Sequence, residues 1–223
     1  NIRIVWEEPA DYYVVVNSPP KNISPDPKKT ILFRMEPRME KYPNMWGEWA
    51  NPNPDSYFFT GLHNNHYNNN EWHISKTYTE LSTQKIVKDE SLSGIVSTVL
   101  SDKYKDPGHI KRIDFTKFLE TKELQIHVFG GNKFEWKKYK GSLPYHQKDN
   151  ALLPYKYGFN VENQQVKGYY TEKLIDGILS ETLMFYSGCP DIREYVDEKA
   201  FVWLELSNFE ADYAKIIESI NSN

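Results

Sequence analysis

Cysteine is almost absent. Cys189 stands alone in 223 residues, which excludes an intramolecular disulfide framework and favours a reducing compartment. Long apolar runs are missing as well; none reaches the roughly 20 residues that a bilayer-spanning helix requires. No signal peptide opens the sequence, because Glu7 and Glu8 follow residues 1–6 at once. A start at Asn1 rather than Met is expected of a processed piece of a longer chain, so an anchor elsewhere stays open. A basic excess is also lacking: 27 Lys and Arg against 31 Asp and Glu leave a net charge of −4. That argues against a general nucleic-acid binder. There is no internal repeat, and the Asn-rich stretch 64–70 reads as a loop.

What is present suits a folded protein. Hydrophobic residues make up 39% and charged residues 26% of the chain, which excludes disorder by composition. The length suits about one to two domains. Aromatics reach 15%, with 16 Tyr and 6 Trp; flat rings of this kind stack on sugars or bases and also fill cores. β-Branched and aromatic runs predict strands over 2–6, 12–16, 30–33 and 56–60, then 94–100, 124–128, 155–161, 182–186 and 200–204. Helices are predicted over about 109–121, over 171–179, and from Phe209, where Phe209, Tyr213, Ile216, Ile217 and Ile220 recur at helical spacing. Strand–helix alternation implies α/β layers around a mostly parallel sheet. The polar stretch Lys88-Asp89-Glu90-Ser91 suggests a boundary, giving domains 1–90 and 91–223.

In open α/β sheets, ligands bind beyond the carboxyl ends of the strands and at helix N-termini. The helix expected at His109 has Lys111 and Arg112 in its first turn, where cations oppose the dipole unless an anion is bound. A solvated or Asp-paired surface Arg explains the same residues. The second start is sharper. Thr171 is a suitable N-cap and Glu172 suits a first turn. Lys173 suits it only if it meets an anion such as a pyrophosphate; a solvated helix start is the plainer alternative.

Tyr155-Lys156-Tyr157-Gly158-Phe159-Asn160-Val161-Glu162-Asn163, followed by Gly168-Tyr169-Tyr170-Thr171-Glu172-Lys173-Leu174, resembles the signature of glycosyltransferase family 10, the α-1,3/4-fucosyltransferases. The resemblance covers about residues 95–219, including Leu183 to Gly188, Pro190 and Lys199-Ala200-Phe201-Val202. It implies an α/β fold of the GT-B type: two Rossmann-like domains, the N-terminal one short or truncated here. The C-terminal domain would bind GDP-fucose through Arg112, Glu162, Asn163, Tyr169, Glu172 and Lys173, with Lys111 the neighbouring alternative to Arg112. The N-terminal domain would hold a glycan acceptor and the general base. Ile31-Leu32-Phe33-Arg34-Met35-Glu36 resembles the family's context for that base, which makes Glu36 the candidate, with Glu40 and Glu48 as competitors. Met35, Pro37 and Gln164 depart from the family's Gly, Asn and Ser.

The resemblance implies an inverting transfer in which Glu36 takes the acceptor proton while Arg112 and Lys173 meet the charge growing on the leaving diphosphate. Two fixed cations can do a divalent ion's work, so no metal or other cofactor is expected. His63, His66 and His73 lack metal partners at convincing spacing and read as loop residues or acceptor contacts. Trp46, Trp49 and Trp72 would stack on a sugar or pack internally. Cys189 reads as a packed thiol. Two alternatives remain: a transferase on the same scaffold with another nucleotide sugar, and a catalytically silent sugar-binding module. The expected partners are a nucleotide sugar and a glycan acceptor, with no nucleic acid. Localisation is cytoplasmic or membrane-associated, and the Golgi lumen if a eukaryotic form is anchored.

Overall fold

The computed structural model describes residues 3–5, 9–20, 22–36, 53–61 and 72–222. The chain forms two compact units, Asn1–Asn69 with Val166–Tyr169, and Asn70–Gln165 with Tyr170–Asn223.

In the first unit, β1 (Tyr13–Val16), β2 (Thr30–Phe33) and β3 (Phe59–Gly61) form a parallel sheet in that order. A Pro-initiated turn precedes β2, with the Asp26 side chain accepting from the Lys28 N–H. The strand expected over 2–6 is absent at residues 3–5, which are irregular and exposed; they pair with no described strand, so their β propensity has nothing to act on.

The second unit begins with the short helix α1 (Tyr78–Thr83), capped by a reciprocal Thr77–Glu80 box. Alternating elements follow: β4 (Val96–Leu100), α2 (Pro107–Leu119), β5 (Ile126–Gly130), β6 (Tyr139–Gly141), the single turn α3 (Asp149–Leu152), β7 (Tyr157–Val161), α4 (Glu172–Leu179), β8 (Leu183–Ser187), β9 (Phe201–Trp203) and α5 (Phe209–Asn221). The sheet is parallel throughout, in the order β6-β5-β4-β7-β8-β9. This is the doubly wound order 3-2-1-4-5-6, and its direction reverses between β4 and β7.

Both faces of the sheet are covered, so its strands read as apolar runs. On one face Val96, Leu100, Ile126, Val128, Tyr157, Phe159, Val161 and Phe185 join Ile113, Phe115 and Leu119 of α2 and Ile216 of α5. On the other, Met184 and Tyr186 pack with Leu174 of α4, and Phe129 packs with Ile74, Leu152 and Tyr155. Residues 72–90 fall with this second unit: Ile74 is in its core, and Lys88 Nζ donates to the Ser180 carbonyl at 2.5 Å and to Thr182 Oγ1 at 3.0 Å.

Candidate functional site

The reversal between β4 and β7 opens a crevice at the carboxyl ends of those strands, the place where such sheets bind ligands. Arg112 lies in it. The Arg112 Nη1–H donates to the Val161 carbonyl at 3.1 Å and to Asn163 Oδ1 at 3.2 Å, and Nη2 donates to Ser101 Oγ at 3.2 Å. The guanidinium therefore joins the end of β4 to the end of β7, with the residue only 4% exposed. Lys111 is half-buried on the next helical position, and it is Arg112 that meets the strand ends.

The helix begins earlier than the sequence suggests. Asp106 is its N-cap and Pro107 its first residue, so Lys111 and Arg112 lie beyond the first turn and the dipole argument for an anion loses its force. A different signal replaces it. His109 is pushed down to about 3, first by burial and then by Arg112, Lys103, Lys173 and Lys105. The Asp106 N–H approaches its Nδ1 at 3.4 Å, consistent with a neutral ring, although the Asp106 carboxylate 2.9 Å away opposes the shift. Arg112, Lys103, Lys173 and Lys105 thus all bear on His109. Lys103 and Lys105 were not among the residues singled out by sequence.

Gly108 sets how closely α2 approaches β7. Its N–H donates to the Asn163 carbonyl at 3.0 Å. A Cβ there would fall on the Glu162 carbonyl and lie 2.8 Å from the Asn163 carbonyl carbon and oxygen.

Glu162 is fully buried, at 0% exposure. It accepts from the Thr171 N–H and from Thr171 Oγ1, each at 2.8 Å, and from the Tyr186 hydroxyl at 3.3 Å. It thus fastens the start of α4 to the end of β7. Lys173 Nζ reaches Thr171 Oγ1 at 3.0 Å, Glu172 Oε1 at 3.3 Å and Glu162 Oε2 at 3.5 Å. Burial would lower the Lys173 pKa, but Glu162 and Glu172 outweigh it and hold the ammonium above its usual value, against Arg112. Burial would likewise raise the Glu172 carboxyl; Lys173, Lys148 and His73 prevail and hold it well below the usual carboxylate range.

A small cleft lies beside these groups, lined by Ser97, Asn160, Lys148, Glu172, Lys173, Asp176 and Met184. Lys148 and Asp176 were also missed by sequence reading.

In the first unit Glu36 follows the end of β2 by three residues, and the Met35 N–H beside it donates to Asn17 Oδ1 at 2.8 Å. Tyr169, buried at the end of the Val166–Tyr169 segment, donates its hydroxyl to Glu36 Oε2 at 3.4 Å. Two candidates far apart in sequence therefore touch.

Elsewhere, Cys189 is buried with its thiol 2.9 Å from Asp191 Oδ1. Trp72 is part-exposed and its indole N–H donates to the Lys76 carbonyl at 2.9 Å. The His73 ring lies against His146, with centroids 4.1 Å apart. Glu40, Glu48, Trp46, Trp49, His63, His66 and the Asn-rich stretch lie outside the described residues. No described helix is long and apolar enough to cross a membrane.

The α-(1,3)-fucosyltransferase FucT of Helicobacter pylori is 36% identical to this chain over 75 residues, which are 32% of this chain and 16% of FucT. No family model matches. A crystal structure of an α1,3-fucosyltransferase with GDP has a TM-score of 0.60 at 18% identity, covering 97% of this chain and 67% of that one. Another, with GDP-fucose, has a TM-score of 0.53 at 18% identity and covers 98% and 81%. The fold is α/β of the GT-B type, with the parallel, Rossmann-like sheets expected.

Proposed function

We propose that this chain is a fucosyltransferase that moves L-fucose from GDP-fucose to a hydroxyl of a glycan acceptor with inversion at the anomeric carbon. The observation that carries the reading is Arg112 bridging the ends of β4 and β7 at the sheet's reversal, near enough to Lys173 for the two cations to oppose each other. A nucleoside diphosphate is the ligand class such a crevice selects. The local match to FucT and the folds of the GDP and GDP-fucose complexes support fucose as the sugar.

The roles follow from chemistry. Glu36 takes the proton from the acceptor hydroxyl as that oxygen attacks the anomeric carbon. The carbon–oxygen bond to the diphosphate breaks, and its electron pair leaves with GDP. Arg112 and Lys173 stabilise that charge, and Asn163 keeps Arg112 aimed. Glu172 accepts hydrogen bonds from the donor. Glu162 acts through Thr171 and Lys173, which it positions. Tyr169 orients the Glu36 carboxylate. Fixed cations supply the electrostatics, so the proposed reaction draws on no cofactor.

Calorimetric titration tests the donor site. GDP and GDP-fucose should bind, and Lys173→Ala should weaken both by about 10- to 100-fold, the worth of a charged hydrogen bond. Glu36→Gln should keep GDP affinity but lower fucose transfer to an oligosaccharide panel by about 10²–10⁴-fold. Selective binding of UDP- or dTDP-sugars would replace fucose with another sugar. Folded protein that binds no nucleotide would refute the reading and leave a silent sugar-binding module.

A further inference from the structure

We infer that Lys148, seated on Asp176, is a positioning residue that holds the Glu172 carboxylate in place for the donor; the inference rests on the donor-site reading above. Lys148 does not belong to the signature stretch. It precedes α3 and reaches α4 from outside: its Nζ lies 2.8 Å from Asp176 Oδ2 and 3.5 Å from Glu172 Oε1.

The geometry explains why α4 needs it. Glu172 and Asp176 are one helical turn apart on the same face, where two carboxylates repel. Asp176 is 1% exposed, so its charge requires partners inside the protein. It has two: the Lys148 ammonium, and the His73 N–H at 2.7 Å. The Lys148 backbone is itself fixed, because its N–H donates to the His73 carbonyl at 2.6 Å. The next residue, Asp149, accepts from the Ser75 N–H at 3.0 Å and from Ser75 Oγ at 2.8 Å. Lys148 thus arrives at α4 on a tethered backbone, and Asp176 holds its ammonium between the two carboxylates. Lys173 also grips Glu172 while engaged with Thr171 and Glu162. A carboxylate held by two ammonium groups gives up little side-chain freedom when a ligand docks on it.

The groups that face Glu172 are Lys173 and Thr171 at the start of α4, Lys148 from the approach to α3, His73 from the preceding strap, and Asp176 one turn on. Removing Lys148 takes away one of the two ammonium groups that hold Glu172 and leaves Lys173.

The test is GDP calorimetry on wild type, Lys148→Met, Lys148→Arg, Glu172→Gln and the Lys148→Met/Glu172→Gln double variant at pH 7.5. Lys148→Met should weaken GDP about tenfold. Lys148→Arg should recover most of the affinity. In the Glu172→Gln background, replacing Lys148 should change affinity less than twofold, because its route of action is gone. Lys148→Met/Asp176→Asn removes the orphaned buried carboxylate and serves if Lys148→Met folds poorly. An equal loss in the Glu172→Gln background, or no recovery in Lys148→Arg, would overturn the inference while leaving the donor site standing. A wild-type protein that binds no GDP would overturn both.

Discussion

Replacing Glu162 by Ala tests the bracket on which the candidate donor site is built. The carboxylate is fully buried and accepts from the Thr171 N–H, Thr171 Oγ1 and the Tyr186 hydroxyl, with Lys173 Nζ at 3.5 Å. Burial, and then Glu162 itself, hold the Tyr186 phenol well above its usual pKa, so it stays a donor in need of an acceptor. Truncation leaves a part-buried N–H, a buried phenol and a largely buried ammonium short of partners. Each unsatisfied neutral donor costs about 1–3 kcal/mol, and breaking a buried ion pair costs about 3–5 kcal/mol. These losses overlap, because the Thr171 hydroxyl can turn and Lys173 retains Glu172. The net expectation is about 3–5 kcal/mol. At roughly 2–4 °C per kcal/mol for a chain of this size, Tm should fall by about 6–20 °C in differential scanning calorimetry. Glu162→Gln, which keeps one acceptor oxygen, should fall between. A loss of less than about 1 kcal/mol in Glu162→Ala would refute the bracket and return Glu162 to a direct part in binding the donor.

Gly108→Ala should destabilise by about 2–3 kcal/mol, since the new methyl meets the backbone of Glu162 and Asn163, which cannot swing aside. It should also weaken GDP binding, because α2 carries Arg112 away from the Val161 carbonyl; wild-type Tm and affinity together would contradict this. His127 gives a pH signature. Burial, then Lys140 and Lys138, push it down to about 4, and its Nδ1 lies 2.9 Å from the Tyr155 hydroxyl. Its folded pKa lies below the unfolded value, so the unfolded chain protonates first and stability falls as pH drops from about 6.5 to 4. His127→Phe should flatten that part of a Tm-versus-pH curve, and an unchanged slope would refute the assignment.

The order of elements in the second unit was legible because both sheet faces are buried: apolar runs marked β4, β5, β7 and β8, and helical spacing marked α5. What escaped has physical causes. β6 is a three-residue edge strand whose pairing with β5 shifts register, too short to leave a period. α1 and α3 are also short, although Thr77 and Glu80 carried a readable capping signature. The start of α2 lies ahead of the expected 109 because Asp106 at N-cap followed by Pro107 is a helix opening. Within the candidate site, Asn163, Glu172 and Lys173 were proposed from the signature stretch, Arg112 from the wider resemblance and Thr171 from its capping chemistry. Lys148 was not, because its pairing with Asp176 spans 28 positions and only the folded chain brings the two together.

The arrangement of charge also bears on how such a site would work. Lys173 is flanked by Glu162 and Glu172, and Lys148 by Glu172 and Asp176. Cations already paired with carboxylates attract a diphosphate less strongly than bare ones. They are, however, already placed, and they need no reorganisation when charge develops on a leaving group. Arg112, tied to the ends of β4 and β7, is a further fixed cation of the proposed donor site, and Lys103 and Lys105 bear on His109 nearby. In that proposal the lysines on α4 and before α3 contribute placement more than bare charge, so what they give a diphosphate is geometry set before the ligand arrives.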